Sequence, residues 1–208
     1  KGHGCLALYS LLADKGFFNL DLLDSFCKAE SILGGHPDHR KIPGVEASTG
    51  ALGHGLSLGV GIALSLKIKK LINKVVVVLG DGEINEGSIW EAAMSASKHQ
   101  LQNLLLIIDY NKYQSYSSTT EVLELEPLKD KWESFGFCVQ TIDGHDLNEI
   151  RRTFKSFPFS TSKPSIVICN TIKGKGFNFA ENNAKWHHKS KLSDEEIFEM
   201  KMLLEIKK

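Results

Sequence analysis

Two apolar runs in the middle of the chain limit its fold more than any other feature. They are Val75-Val76-Val77-Val78-Leu79 and Leu104-Leu105-Leu106-Ile107-Ile108. Each is short, branched and unbroken by charge, as a strand buried on both faces must be. The stretch between them, 88–98, has helical character. Strand, helix and strand in that spacing form a βαβ unit, and its two strands run parallel. Both runs end in oxygen-bearing side chains. Gly80-Asp81-Gly82-Glu83 follows the first, and Asp109-Tyr110-Asn111 follows the second. Open parallel sheets bind ligands outside the carboxyl ends of their strands. Asp81 and Asn111, thirty residues apart, are thereby expected side by side at one shared site.

The rest of the chain continues the alternation. Helices are expected at 6–12, 20–26, 51–72, 128–135 and 146–157, and further strands at 137–142 and 165–169. Segments 34–48, 111–120 and 173–190 read as loops, the last as an active-site loop. Ser193 and Glu196 open a final helix with the reciprocal spacing of a capping box. Gly53, Gly55, Gly59 and Gly61 lower the intrinsic helicity of 51–72 and permit close packing against a neighbour. The expected class is α/β, a three-layer, doubly wound parallel sheet with helices on both faces. With 208 residues, 42% of them hydrophobic, residues 1–208 suffice for one domain with its own core.

Charge and composition exclude several functions. Lys and Arg total 25 and Asp and Glu total 25, so no basic field exists to hold nucleic acid. No apolar run approaches the roughly 18 residues that read as a membrane span. The four cysteines, Cys5, Cys27, Cys138 and Cys169, form no C-x-x-C pair. Cys138 and Cys169 fall in apolar runs and are expected as buried thiols. This fits a reducing, cytoplasmic setting.

The residue types at the expected site indicate its chemistry. A carboxylate and an amide oxygen are hard ligands that suit Mg²⁺ or Ca²⁺. Mg²⁺ takes few protein ligands and completes its shell with phosphate oxygens and water. Flanking glycines let the backbone approach closely. The helix that follows offers N–H groups to an anion. The reading is a metal-diphosphate site, with a plain helix N-cap as the alternative for Asp81. A nicotinamide fingerprint fails, because Gly87 comes too late to be the third glycine of G-x-G-x-x-G. No G-x-x-x-x-G-K-[ST] loop is present.

Gly80-Asp81-Gly82 with Asn111 resembles the signature of thiamine-diphosphate enzymes. Three further segments resemble transketolase in particular. They are Lys1-Gly2-His3 with Leu8-Tyr9; Gly35-His36-Pro37 leading to 43–53; and 171–176 with Trp186-His187. The resemblance covers nearly the whole chain, in order, and corresponds to the diphosphate-binding half of a transketolase.

The resemblance implies roles residue by residue. Asp81, Asn111 and the backbone carbonyl of Tyr113 would hold the metal. Gly50, Leu52, Gly80, Gly82, Glu83 and Lys173 would line thiamine diphosphate, with Lys173 neutralising diphosphate charge. For Glu83 the alternative is a first-turn acid favoured by the helix dipole; for Lys173 it is a solvated loop lysine. Glu86 resembles part of an acidic relay between paired sites. His3, His36 and His187 would line the substrate channel, where imidazoles suit carbonyl polarisation and proton transfer. His188 competes with His187 for that place. His36 with His39, or His187 with His188, could instead bind zinc. His54 stands where transketolases commonly carry glutamine.

No segment resembles the pyrimidine-binding domain that completes a transketolase site. The upstream helices also have no counterpart. The expectation is half an active site, completed by a partner chain, the C-terminal transketolase subunit, in a heterotetramer. The reaction would move a two-carbon ketol unit from a ketose to an aldose. The alternatives are a deoxyxylulose-phosphate-synthase-like enzyme and a non-catalytic interaction subunit.

Overall fold

A computed structural model describes residues 1–187, 189 and 191–205. Four strands are present: β1 (Val75–Gly80), β2 (Leu104–Tyr110), β3 (Cys138–Asp143) and β4 (Ser165–Asn170). The helices are α1 (Cys5–Asp14), α2 (His54–Ile68), α3 (Gly87–Lys98), α4 (Thr119–Val122), α5 (Leu128–Ser134), α6 (Leu147–Lys155) and α7 (Asp194–Glu205). All strand pairs are parallel, in the order β1-β2-β4-β3. The chain moves in one direction through β1, β2 and β3, then turns back to insert β4.

That reversal sets the layers. Parallel crossovers are right-handed, so connections in one direction put their helices on one face, and the return puts its helix on the other. α3 and α5 accordingly share a face with α2. Their side chains Leu56, Val60, Ile89, Ala93, Leu128 and Trp132 pack on Leu79, Leu104, Leu106, Ile108, Ile166 and Ile168. α6 lies opposite, where Ile150, Phe157 and Phe159 cover Leu105, Ile142, Val167 and Cys169. The second layer stops short of β1, an edge strand, whose Val76 and Val78 remain 54% and 42% exposed. A third cluster, built from Tyr9, Leu12, Leu33, Ile42 and Val45, joins α1 to the segment leading into α2.

Several expectations shift in detail. Leu20–Ser25 is a 3-10 helix capped by Asn19, not an α-helix. The helix expected over 51–72 starts only at His54, because Gly53 adopts a left-handed φ of 79°, and ends at Ile68, just before Lys70 with its φ of 54°. Gly59 explains the glycine richness. A Cβ there would strike the Val77 side chain, so the missing side chain lets α2 settle on the sheet. The polar stretch 111–120 is not wholly a surface loop; it runs into α4 and includes the buried Asn111 and Thr119. Cys169 and Cys5 are buried, whereas Cys138 is only half-buried. The capping box forms as expected, with Ser193 Oγ accepting the Glu196 N–H and the Glu196 carboxylate accepting the Ser193 N–H. Among the described residues no helix is long and apolar enough to cross a membrane.

Candidate functional site

The register places Gly80 opposite Asp109. Asp81 and Asn111 therefore leave adjacent strands at the same end of the sheet. Both are buried, at 2% and 8% exposure. Asp81 Oδ1 accepts the Gly82 N–H at 2.8 Å, and Oδ2 accepts the Lys112 N–H at 2.6 Å. Asn111 Oδ1 accepts the Tyr113 N–H at 3.1 Å, closing a turn that brings residue 113 beside the amide. Burial pushes the Asp81 carboxyl above its ordinary value, against the pull of its two N–H partners and of the Lys1 charge. A nearby cation would relieve that penalty. The donor set of one carboxylate, one amide oxygen and a neighbouring backbone carbonyl fits Mg²⁺ or Ca²⁺. Asp81 does cap the short 3-10 turn Gly82–Asn85, so the capping alternative is met as well, by one oxygen.

Two glycines leave room at this place. A Cβ on Gly82 would come within 2.7 Å of Gln114 Cβ. Gly80 lies under the Lys1 side chain, with Lys1 Cδ and Cε 3.9 Å from where its Cβ would be. Glu83 is a first-turn acid of the Gly82–Asn85 turn, and it is buried. Its Oε1 accepts the Gly53 N–H at 3.1 Å and its Oε2 the Gly80 N–H at 3.2 Å. One carboxylate thus joins the end of β1 to the start of α2, where Gly50 and Leu52 lie. Leu52 is half exposed, and its carbonyl meets the His54 ring at 2.9 Å. Glu86, the N-cap of α3, is exposed.

His3, His36 and His187 converge, although they lie far apart in the chain. The His3 ring centroid is 5.8 Å from that of His36 and 5.8 Å from that of His187. His36 is seated by glycines. A Cβ on Gly2 would fall 2.8 Å from its ring, and one on Gly50, at φ 124°, would fall 3.3 Å away. The loop behind it is closed by Asp38, which accepts the Arg40 N–H and the Ser48 hydroxyl. These bonds hold the Asp38 carboxyl down at about 2. His39 is spent on Ser48. His188 lies outside the described residues. Among the described residues no group of three His, Cys, Asp or Glu side chains is disposed to hold a metal.

Lys173 lies three residues past the end of β4, in the loop that follows it. The Asn182 N–H returns to its carbonyl at 2.9 Å, so 173–182 is a closed, compact turn. Burial lowers the Lys173 ammonium below its ordinary value, and the Lys1 charge lowers it further, offset in part by Asp81 and Asp109. It is half-buried and faces carboxylates, unlike a solvated loop lysine.

Two residues here were not singled out from sequence. Asp109 pairs with the Lys1 ammonium and accepts the Thr171 hydroxyl. Burial pushes its carboxyl up, but Lys1, Thr171 and Asn111 together outweigh that and hold it below the ordinary range. His145 accepts the Ile172 N–H at 2.9 Å on its Nε2 and so pins the residue before Lys173. Position at a strand end was the available signal for Asp109. None was available for His145.

A family model described as the thiamine diphosphate binding domain of transketolase matches residues 1–208. The chain belongs to this family. It is 46% identical to one subunit of the apulose-4-phosphate transketolase of Phocaeicola vulgatus, over 90% of this chain and 66% of that one. It is 45% identical to a 6-deoxy-6-sulfo-D-fructose transketolase subunit of Clostridium sp., over 94% and 70%. Human transketolase is 34% identical over 91% of this chain but only 30% of its own length. The chain thus spans about two thirds of the subunit relatives and under a third of the long transketolases. Among solved structures, a transketolase variant from Pichia stipitis superposes with a TM-score of 0.88 at 31% identity, covering 97% of this chain and 31% of that one. Transketolase from Campylobacter jejuni gives 0.83 at 32% identity, over 89% and 30%. These structures share the parallel sheet on which the site above is built.

Proposed function

We propose that this chain is the diphosphate-binding subunit of a split transketolase. It would transfer a two-carbon ketol unit from a ketose or ketose phosphate to an aldose or aldose phosphate. The observation that carries the reading is the convergence of His3, His36 and His187 in a fold whose neighbouring strand ends lead into Asp81 and Asn111, with Lys1, two residues before His3, lying over Gly80. Asp81, Asn111 and the Tyr113 carbonyl would hold Mg²⁺ or Ca²⁺. Gly50, Leu52, Gly80, Gly82, Glu83 and Lys173 would frame thiamine diphosphate. The cofactor supplies a nucleophilic carbon and an electron sink for cleavage beside a carbonyl. The histidines would hold the sugar's carbonyl and hydroxyl oxygens and move protons at them.

The two relatives named as transketolase subunits support a partner chain, which in this reading carries the pyrimidine-binding domain and completes a heterotetramer. The surface of α2 supports it too. No Asp, Glu, Lys or Arg occurs between Glu46 and Lys67, yet Leu58 and Ile62 are about half exposed. An uncharged, apolar helix face of this kind marks an interaction surface. Calorimetric titration of thiamine diphosphate with Mg²⁺, with and without the partner, tests the reading. Metal-dependent binding that disappears in Asp81→Ala, and ketol transfer only when both chains are mixed, are the expected results. Turnover by this chain alone would refute the split site, and no binding in either state would refute the cofactor reading.

A further inference from the structure

We propose that His145 is a positioning residue for the loop that carries Lys173, and that it holds this loop only while its imidazole is uncharged; the assignment rests on the cofactor reading above. His145 lies in the turn between β3 and α6, apart from the residues placed around the cofactor and the sugar. That turn is braced from both sides. The Asp143 carboxylate accepts the His145 N–H at 2.8 Å, and the Glu149 carboxylate accepts the Asp143 N–H at 3.0 Å. Gly144 lets the turn press on the end of β4. Its N–H reaches the Asn170 carbonyl at 2.8 Å, and a Cβ there would strike the Thr171 side chain. The His145 ring meets the following residue, where its Nε2 accepts the Ile172 N–H at 2.9 Å.

The ties along this loop differ in kind. The Thr171 N–H bonds the Tyr110 carbonyl at 3.1 Å, and the Thr171 hydroxyl bonds Asp109. From Lys173 onward the chain bonds to itself. The Asn182 N–H returns to the Lys173 carbonyl at 2.9 Å, and Gly174, at φ 76°, leaves no room for a Cβ beside Ala180. Segment 173–182 is thus a closed body joined to the sheet through Ile172, and the bond at Ile172 is made by an imidazole. A neutral imidazole accepts at one nitrogen, whereas an imidazolium carries protons on both and can only donate. Protonation would set two N–H groups against each other at Ile172 and free the loop one residue before Lys173. Imidazole is the side chain whose charge ordinarily changes between pH 5 and 8, so this tie answers to pH where the backbone ties do not. The charged groups that touch this turn or adjoin the bond are Asp143, Asp146 and Glu149 on the side of His145, and Asp109 and Lys173 on the side of Ile172.

The test uses the full-length protein with its partner and Mg²⁺. Thiamine diphosphate affinity is measured by calorimetry at about pH 8 and about pH 5.5, on either side of the imidazole range, in the wild type, His145→Gln and His145→Ala. Glutamine offers an amide oxygen as acceptor and does not titrate. At the higher pH His145→Ala is expected to bind about 3- to 10-fold more weakly than the wild type, the range for one neutral hydrogen bond, and His145→Gln to stay within about twofold of it. At the lower pH the wild type should fall at least to the level of His145→Ala, while His145→Gln stays above both. The ligand's own ionisation is common to all three forms, so only the ratios between them are read. Equal affinity of the wild type and His145→Ala at the higher pH overturns the assignment and leaves the cofactor reading intact. So does a ratio of wild type to His145→Gln that does not change with pH, the result for a bond of purely structural worth. If the wild type binds no thiamine diphosphate, the cofactor reading falls and the assignment with it. If His145→Ala fails to fold, the ratio of wild type to His145→Gln across the two pH values decides the matter.

Discussion

Glu83 accepts the backbone N–H of Gly53 across thirty residues of sequence, at 3.1 Å. Its other oxygen takes the N–H of Gly80. A buried N–H left without a partner is costly, and here one side chain satisfies two such groups while fixing the distance between α2 and β1. Glu83→Ala is expected to destabilise the chain by about 2–4 kcal/mol, the scale of losing charged hydrogen bonds and orphaning their donors. Urea denaturation of the two forms measures it. Glu83→Gln, which keeps one acceptor oxygen, should recover part of the loss. A midpoint for Glu83→Ala equal to wild type would sink this account.

Gly82→Ala adds one methyl group, which would stand 2.7 Å from Gln114 Cβ. The loops after β1 and β2 must then part. The expected outcome is a modest loss of stability, about 1–3 kcal/mol as for an overpacked site, with a larger loss of thiamine diphosphate affinity. Pairing it with Gln114→Gly, which removes that Cβ, should restore part of the stability. Failure of that rescue in thermal melts would show that the clash lies elsewhere.

The histidines are expected to separate catalysis from cofactor binding. His3→Ala, His36→Ala and His187→Ala, each assembled with the partner, should lower kcat/KM for the ketose donor by about 10²- to 10⁴-fold. Thiamine diphosphate affinity should move less than threefold, on the order of the error in adding distant effects. Steady-state kinetics beside calorimetry reads both. A variant that loses cofactor and activity together would place that ring against the cofactor instead of the sugar.

Asp38 gives a pH dependence with a definite sign. Its carboxyl sits at about 2 in the folded chain against an ordinary 3.8, because the Arg40 N–H, the Arg40 side chain and Ser48 bond to its charged form. A depressed acid contributes its stabilisation above the unfolded value and loses it as pH falls through the folded value. The turn that seats His36 should stay closed at pH 5 and loosen only as pH drops from 3.8 toward 2. An NMR titration of the Asp38 carboxyl carbon with a midpoint near 4 would contradict the hydrogen-bond pattern.

The parts of this molecule that were legible in sequence are those set by local pattern. Val75–Leu79 reads as a strand because five branched apolar residues can do little else, and Asp81 follows its end by necessity. Glycines at 80 and 82 mark the turn for the same reason. The insertion of β4 between β2 and β3 has no local signature; it depends on pairing energies along whole strands. His145 and Asp109 went unremarked on similar grounds. Their partners, Ile172 and Lys1, lie 27 and 108 residues away, and only the strand order brings them close. The helix at 51–72 is shorter because Gly53 and Lys70 turn left-handed at its two ends, a property that a hydrophobic pattern does not encode.

The uncharged outer face of α2 has a consequence for how such a chain must be made. Side chains such as Leu58 and Ile62 sit in water until something covers them, and exposed apolar surface promotes indiscriminate clumping. If a partner is the cover, synthesis of the two polypeptides must be matched in amount and timing, and a cell or an expression host that makes this one in excess should find the surplus in the insoluble fraction.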